Sequence, residues 1–253
     1  MEIIEVAFYI IFFISGLAVG SFLGVVAYRL PRKLSIVKPA SFCPYCKKKI
    51  PFYDNIPILS FIILKGKCRY CKNKIPLNTL LIEVITGILF VVNYIFFGLS
   101  IKTISGIILC SALILISFID IEFRIIPNVI ILPLIIPGLI ISIFSNLKEW
   151  WMPLAFSVGA FLFMLIIHLI YPKGMGMGDV KLSLMVGAFL VRNVITALFL
   201  GFLAGSIYGL SFIAIKKGKL KQAIPFGPFI SIGSIVALFY GGNILKWYIS
   251  FLK

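Results

Sequence analysis

Across 253 residues, 61% are hydrophobic and only 13% charged, with a mean hydropathy of +1.14; this excludes a soluble globular domain and points to a polytopic membrane protein. The formal net charge of +16 would suit nucleic acid. The basic residues, however, sit in short loops beside apolar runs, as the positive-inside rule requires, and no basic stripe with stacking aromatics stands apart from them, so no nucleic-acid partner is expected.

The first predicted element is a span from Ile3 to Tyr28. It is too long for the apolar core of a signal peptide and starts with acidic Glu2 and Glu5, so it is expected to remain in place, as a first domain over residues 1–30. Its Gly16, Gly20 and Gly24 recur every fourth residue, the usual device for close helix packing in lipid.

Residues 31–79 form the one sizeable polar insertion. They carry Cys43-Pro44-Tyr45-Cys46-Lys47 and Cys68-Arg69-Tyr70-Cys71-Lys72. Two C-x-x-C turns at this separation match a tetrahedral four-cysteine zinc site. A pair of disulfides is the alternative, disfavoured if the loop faces a reducing cytoplasm. Four thiolates leave no open coordination position, so the ion would be structural. A loop this polar buries little core, and zinc would supply the folding energy, on the order of 10–16 kcal/mol in peptide sites. Asp54 reads as a turn residue beside Asn55-Ile56-Pro57.

The remainder, 80–253, is predicted to be a helical bundle with spans at Leu80 to Leu99, Thr103 to Ile119, Val129 to Phe144, Trp151 to Tyr171, Val180 to Val191, Val194 to Ile215 and Phe226 to Leu245. Eight spans in all are expected, most near the ~20 residues that a ~30 Å hydrocarbon core requires. Val180 to Val191 is short for a crossing. Glu83 lies one turn inside the second span. It is either an acid favoured by the helix dipole or a functional carboxylate facing the interior. Cys110 reads as packing, as do Gly201, Gly205 and Gly209. The lone histidine, His168, has no Ser or Cys partner, which argues against a histidine-based triad.

With the amino terminus outside, nineteen of the 24 Lys and Arg residues fall on the cytoplasmic side, including Lys173 and Lys216, Lys217, Lys219 and Lys221; Lys102, Lys148, Arg192, Lys246 and Lys253 stay outside. The chain holds only three aspartates. In this topology Asp120, ending the third span, and Asp179, opening the sixth, meet on the cytoplasmic face. Asp179 follows Gly174-Met175-Gly176-Met177-Gly178, whose glycines permit positive φ or close approach to the carboxylate. A carboxylate at membrane depth costs roughly 2.5–3.5 kcal/mol and is functional by default, although Asp179 would also serve as a helix cap. Two adjacent carboxylates cannot both ionise, so they share one proton. The ionised member takes a proton from water while the other hydrogen-bonds a scissile carbonyl.

The ordered set Gly20-Ser21-Phe22-Leu23, Tyr28-Arg29-Leu30-Pro31, the two C-x-x-C pairs, Asn55-Ile56-Pro57, Leu59-Ser60, Glu83, Ile119-Asp120, Ile126-Pro127, Gly176-Met177-Gly178-Asp179-Val180-Lys181 and Ile224-Pro225-Phe226-Gly227-Pro228-Phe229 resembles the bacterial type IV prepilin peptidases, a branch of the GxGD membrane aspartic proteases. The resemblance implies a multi-pass protein of the bacterial inner membrane with Asp120 and Asp179 as the catalytic pair, facing the cytoplasm. It implies prepilin or pseudopilin substrates, cut after the glycine that ends a basic leader. It also implies methylation of the new amino-terminal residue, commonly phenylalanine, from S-adenosylmethionine, for which no glycine-rich nucleotide-binding fingerprint is present. Glu83 and the cysteine loop are where that second site is expected. Asn128 departs from the pattern, in which an acid often follows Ile-Pro. A transporter or channel with a zinc-bound regulatory loop and an acidic ion path is the rival reading, with no inverted repeat in its favour. Oligomeric state and the particular pilin are left open.

Overall fold

The computed structural model describes residues 2–172, 174–215 and 224–251. Lys173, Lys216, Lys217, Lys219, Lys221 and Lys253 of the charge count lie outside the described residues. The described elements are helical: α1 (Glu2–Arg29), α2 (Leu59–Ile63), α3 (Leu77–Phe97), α4 (Ile101–Phe123), α5 (Asn128–Ser145), α6 (Met152–Ile170), α7 (Met177–Leu190), α8 (Val194–Ile215) and α9 (Gly227–Phe251). The only extended pairings among the described residues are two isolated bridges in the cysteine loop.

Seven described stretches are long and apolar enough to cross a membrane, making this a multi-pass membrane protein. One of them, Met177–Ile215, runs 39 residues, about twice what a crossing needs. It is two helices. Val191 takes φ +50, which no α-helix continues through, and Val191–Asn193 make a tight turn. The direction then reverses. Ser157 of α6 donates to Leu184 O of α7 at 2.6 Å and Ser183 to Ala160 O at 3.2 Å, so these two helices are antiparallel. Phe202 of α8 meets Phe163, farther along α6 toward the end where α7 begins. The expected eighth helix is thus present within the 39-residue stretch. The second long helix starts at Leu77, three residues before the expected Leu80.

Contacts divide the chain into Met1–Thr103 and Ile104–Lys253. In the first unit α1 packs on α3 through its glycines: a Cβ at Gly16 would stand 2.8 Å from Gly87 Cα, and one at Gly20 2.7 Å from Glu83 Cα. Only backbone hydrogen fits there, so the packing role read for this ladder holds at Gly16 and Gly20, whereas a Cβ at Gly24 would meet Thr79 at an ordinary 3.4 Å. In the second unit the core gathers Leu109, Leu113, Ile116, Met164, Leu182 and Met185. Ten of the 14 residues of α7 are buried. The burial includes the polar Asp179 and Ser183, so the helix is enclosed by protein on most sides. With most of its surface covered by neighbouring helices, α7 need not match the hydrocarbon thickness by itself, which eases the difficulty of its length, about 21 Å. Gly201 packs against Ile230 of α9, whereas a Cβ at Gly209 would meet nothing within 4 Å; the third rung of that ladder is not a packing position.

Candidate active site

α4 runs past the expected end at Ile119 to Phe123, so Asp120 lies in its last turn, where the helix dipole disfavours an anion. The remedy is the start of another helix: Gly227, first residue of α9, donates its N–H to Asp120 Oδ2 at 3.0 Å. A methyl group at Gly227 would lie 2.8 Å from that oxygen, so only glycine admits the carboxylate this close. Asp179 sits in the first turn of α7 and accepts from Gly176 N–H at 3.1 Å, while its own N–H returns to Gly176 O. Both carboxylates therefore use one oxygen to cap a helix N-terminus, and both are buried, at 4% and 7% exposure. Asp179 Oδ1 has no hydrogen-bond partner among the described residues.

The capping role weighed for Asp179 is real, and it employs only half the carboxylate. Ile126 links the two sites: a Cβ added at Gly178 would meet it at 2.9 Å, and one at Gly227 at 3.3 Å. Asp179 also stands within electrostatic reach of Asp120. The glycines of the loop do not use positive φ. Gly176 has φ −78, and among the described residues only Gly66 and Gly98 are positive-φ glycines. Gly178 instead admits Ile126 and Gly174 packs on the Tyr171 ring. Met177 begins α7 and is 40% exposed. Asn128 accepts from Lys181 at 3.2 Å, so an acid at that position would make an ion pair.

In the first unit, Cys43, Cys46, Cys68 and Cys71 gather with their sulfurs all within 4.8 Å of one another, Cys43 and Cys71 at 3.8 Å. Four sulfurs about 2.3 Å from a tetrahedral zinc would stand about 3.8 Å apart, so the set fits the ion. The two turns are copies. Cys43 N–H bonds Lys48 O and Lys47 N–H bonds Cys43 O; Cys68 N–H bonds Asn73 O and Lys72 N–H bonds Cys68 O. Lys47 and Lys72 both take φ near +60. The Cys71 N–H, aimed at the Cys68 sulfur, lowers that thiol to about 7, with the Tyr70 N–H and the Cys43 and Cys71 thiols helping. No disulfide joins these residues, and Cys110 is buried in α4. Asp54 does more than turn the chain: it takes two 2.6 Å hydrogen bonds from Arg69 inside the second C-x-x-C, and this holds its carboxyl below the usual range.

Glu83 is buried and accepts from Ile58 N–H at 2.9 Å, with the Ser21 hydroxyl as a second polar neighbour. Ile58 has φ +60 and ψ −51, and Leu59 N–H reaches Pro57 O across it, a strained γ-turn in a β-branched residue. Glu83 thus holds the loop by a backbone group that no sequence signal marks. Arg29 likewise is no loop charge. It is buried, and its guanidinium donates to the carbonyls of Ser35, Pro39 and Ala40 at 3.0, 2.8 and 3.2 Å. Glu83, Ser21, Tyr28 and Phe42 line a cavity of about 200 Å³ between α1, α3 and the loop.

Two family models match: the bacterial peptidase A24 N-terminal domain over residues 14–97 and the type IV leader peptidase family over 107–210. A prepilin leader peptidase/N-methyltransferase of Bacillus subtilis strain 168 is 36% identical, covering 94% of this chain and 97% of its own. The chain belongs to the type IV leader peptidase family. Proteins of the same description from Legionella pneumophila (30% identical, 96% of this chain and 95% of theirs) and Aeromonas salmonicida (31%, 94% and 92%) extend the family match end to end. No solved structure gives a significant match. As a leader peptidase family member the chain is an enzyme, and the resemblance drawn from its motifs is borne out.

Proposed function

We propose that the chain is an aspartic endopeptidase that removes the leader of prepilins or pseudopilins at the cytoplasmic face of the bacterial inner membrane, with Asp120 and Asp179 as its catalytic pair. The observation that carries this is the arrangement of the two carboxylates. They are 59 positions apart in the chain, they are both buried, and each spends one oxygen on a helix N-terminus. What is left is one oxygen on each for a shared proton and a water. The ionised partner removes a proton from that water as it attacks the scissile carbonyl. The protonated partner gives its proton to the carbonyl oxygen, and the first carboxylate passes the proton it took from water to the leaving amine, while the proton on the oxygen returns to the second as the carbonyl re-forms. Burial keeps competing water out and strengthens both hydrogen bonds.

The proposed division of labour has a zinc-bound cytoplasmic loop, residues 31–79, between a first helix, 1–30, and a bundle, 80–253, that carries the cleavage site. Zinc held by the four cysteines supplies rigidity alone. The relatives' printed description supports a second step, methylation of the newly freed amine from S-adenosylmethionine. We assign it to the cavity beside Glu83, whose carboxylate suits a cationic donor or an incoming ammonium. The test is incubation of the purified enzyme with a prepilin leader peptide, followed by mass spectrometry. Cleavage after the leader glycine, lost in Asp120→Asn and Asp179→Asn, is the expected result. Intact peptide with wild type, together with saturable cation binding, would favour the transporter reading.

A further inference from the structure

His168 lies in the last turn of α6, within reach of the loop that leads to Asp179. Its ring Nδ1 stands 2.7 Å from Met175 O. A carbonyl oxygen only accepts, so Nδ1 carries the proton in this contact. The Met175 carbonyl and the Gly176 N–H belong to one planar peptide group. That same N–H is the donor to Asp179 Oδ2, at 3.1 Å. The imidazole and the carboxylate are therefore joined in series through a single amide: Nδ1–H to carbonyl oxygen on one side, amide N–H to Oδ2 on the other. Hydrogen bonds in series polarise one another, and a rigid amide held at both ends cannot rotate.

We infer that His168 is a positioning residue for Asp179, acting through the Met175–Gly176 peptide, and that it fixes which carboxylate oxygen is tied to the helix and which is left for the reaction. This rests on the proposed catalytic pair. The unpartnered Oδ1 of Asp179 is the atom whose direction the arrangement sets. Without the imidazole, local bonds such as Gly174 N–H to Tyr171 O remain, so α7 is expected to keep its start while the Met175–Gly176 peptide plane, and with it Asp179, gains rotational freedom.

The test compares His168→Phe, which keeps a planar ring without a donor, with His168→Gln, which restores an N–H donor. His168→Leu replaces the first if that variant does not accumulate. Steady-state cleavage of a leader peptide is measured alongside thermal unfolding. The expected result is a fall in kcat of about tenfold for His168→Phe, the scale of one hydrogen bond, with KM within about twofold, and recovery of most of kcat in His168→Gln. Equal loss in Phe and Gln variants, a change confined to KM, or unchanged kcat in both would overturn the inference. The two readings fail separately. Unchanged kcat in His168→Phe beside an inactive Asp179→Asn removes only the role of His168, whereas an active Asp179→Asn removes the catalytic pair itself.

Discussion

The two units of the chain bury ionisable groups to different ends. In Met1–Thr103, Arg29 and Glu83 are buried with backbone partners drawn from the polar loop, and they hold that loop in place: Arg29 by a fan of carbonyls, Glu83 by the Ile58 N–H. In Ile104–Lys253, Asp120 and Asp179 each engage a single backbone N–H, and Asp179 keeps an oxygen with no partner among the described residues. Buried polar atoms are ordinarily satisfied, so an unsatisfied one calls for an explanation, which the proposed cleavage chemistry supplies for Asp179 Oδ1. On the proposed assignment the difference separates two sites: Arg29 and Glu83 hold the loop around the cavity proposed for methyl transfer, and the half-used carboxylates of the second unit are those proposed to cleave.

The sharpest way to break this contrast is to remove the reserved oxygens. Asp120→Asn and Asp179→Asn should each lower cleavage by about 10³-fold or more, the upper range for acid–base groups, with normal membrane insertion. Either folded variant cleaving at a substantial rate ends the pair. Next in size is the metal. One zinc per chain is expected, lost in Cys43→Ser and Cys68→Ser. Chelation should loosen the loop and weaken substrate binding before it alters the chemical step, as judged by KM against kcat. Metal-free purified protein, or oxidised Cys43 and Cys46, contradicts this.

Glycine substitutions sharpen the comparison because each touches one unit. Gly227→Ala places a methyl 2.8 Å from Asp120 Oδ2, and displacement worth ~1–3 kcal/mol should slow cleavage about 10- to 100-fold. Gly20→Ala presses on the backbone at Glu83 and should cost a similar ~1–3 kcal/mol of stability in the first unit. Its effect is expected on methyl transfer, with cleavage of a leader peptide largely kept. The smallest effect belongs to Arg69→Gln. Asp54 is held below its ordinary pKa by Arg69, so the pair's contribution is complete above about pH 4 and fades as pH falls through the lowered value. Loop stability of wild type and variant should therefore differ slightly at neutral pH and converge in acid. A difference that grows on acidification is the contrary result.

Some of this is legible in the sequence for identifiable reasons. Ligand spacing in C-x-x-C is local, so the cysteine cluster follows from the residues alone. Aspartate is so scarce in this chain that Asp120 and Asp179 stand out, and the charge bias of the loops brings them to one face. What stays hidden is backbone chemistry across long separations. Gly227 lies 107 positions from Asp120, and its N–H carries no residue-type signature. An acid at a helix C-terminus is the available clue, since it demands a compensating helix start. Ile58 is illegible because a β-branched residue is the last choice for a positive φ, and Arg29 because a loop arginine is ordinarily solvated. His168 lacks a side-chain partner in the sequence pattern because its partner is a carbonyl. The shortness of α7 looks like a crossing problem only until neighbouring helices bury it, which is a tertiary property.

The measurement that tests the central claim most directly offers two substrates to three proteins. Full-length prepilin and a synthetic peptide already beginning with phenylalanine are given, with labelled S-adenosylmethionine, to wild type, Asp179→Asn and Glu83→Gln. Asp179→Asn is expected to leave prepilin uncut yet still methylate the pre-cut peptide, while Glu83→Gln cuts prepilin and transfers little methyl. Cleavage by Asp179→Asn, or loss of methyl transfer in Asp179→Asn with Glu83→Gln unaffected, would contradict the separation of the cleavage and methyl-transfer sites proposed above.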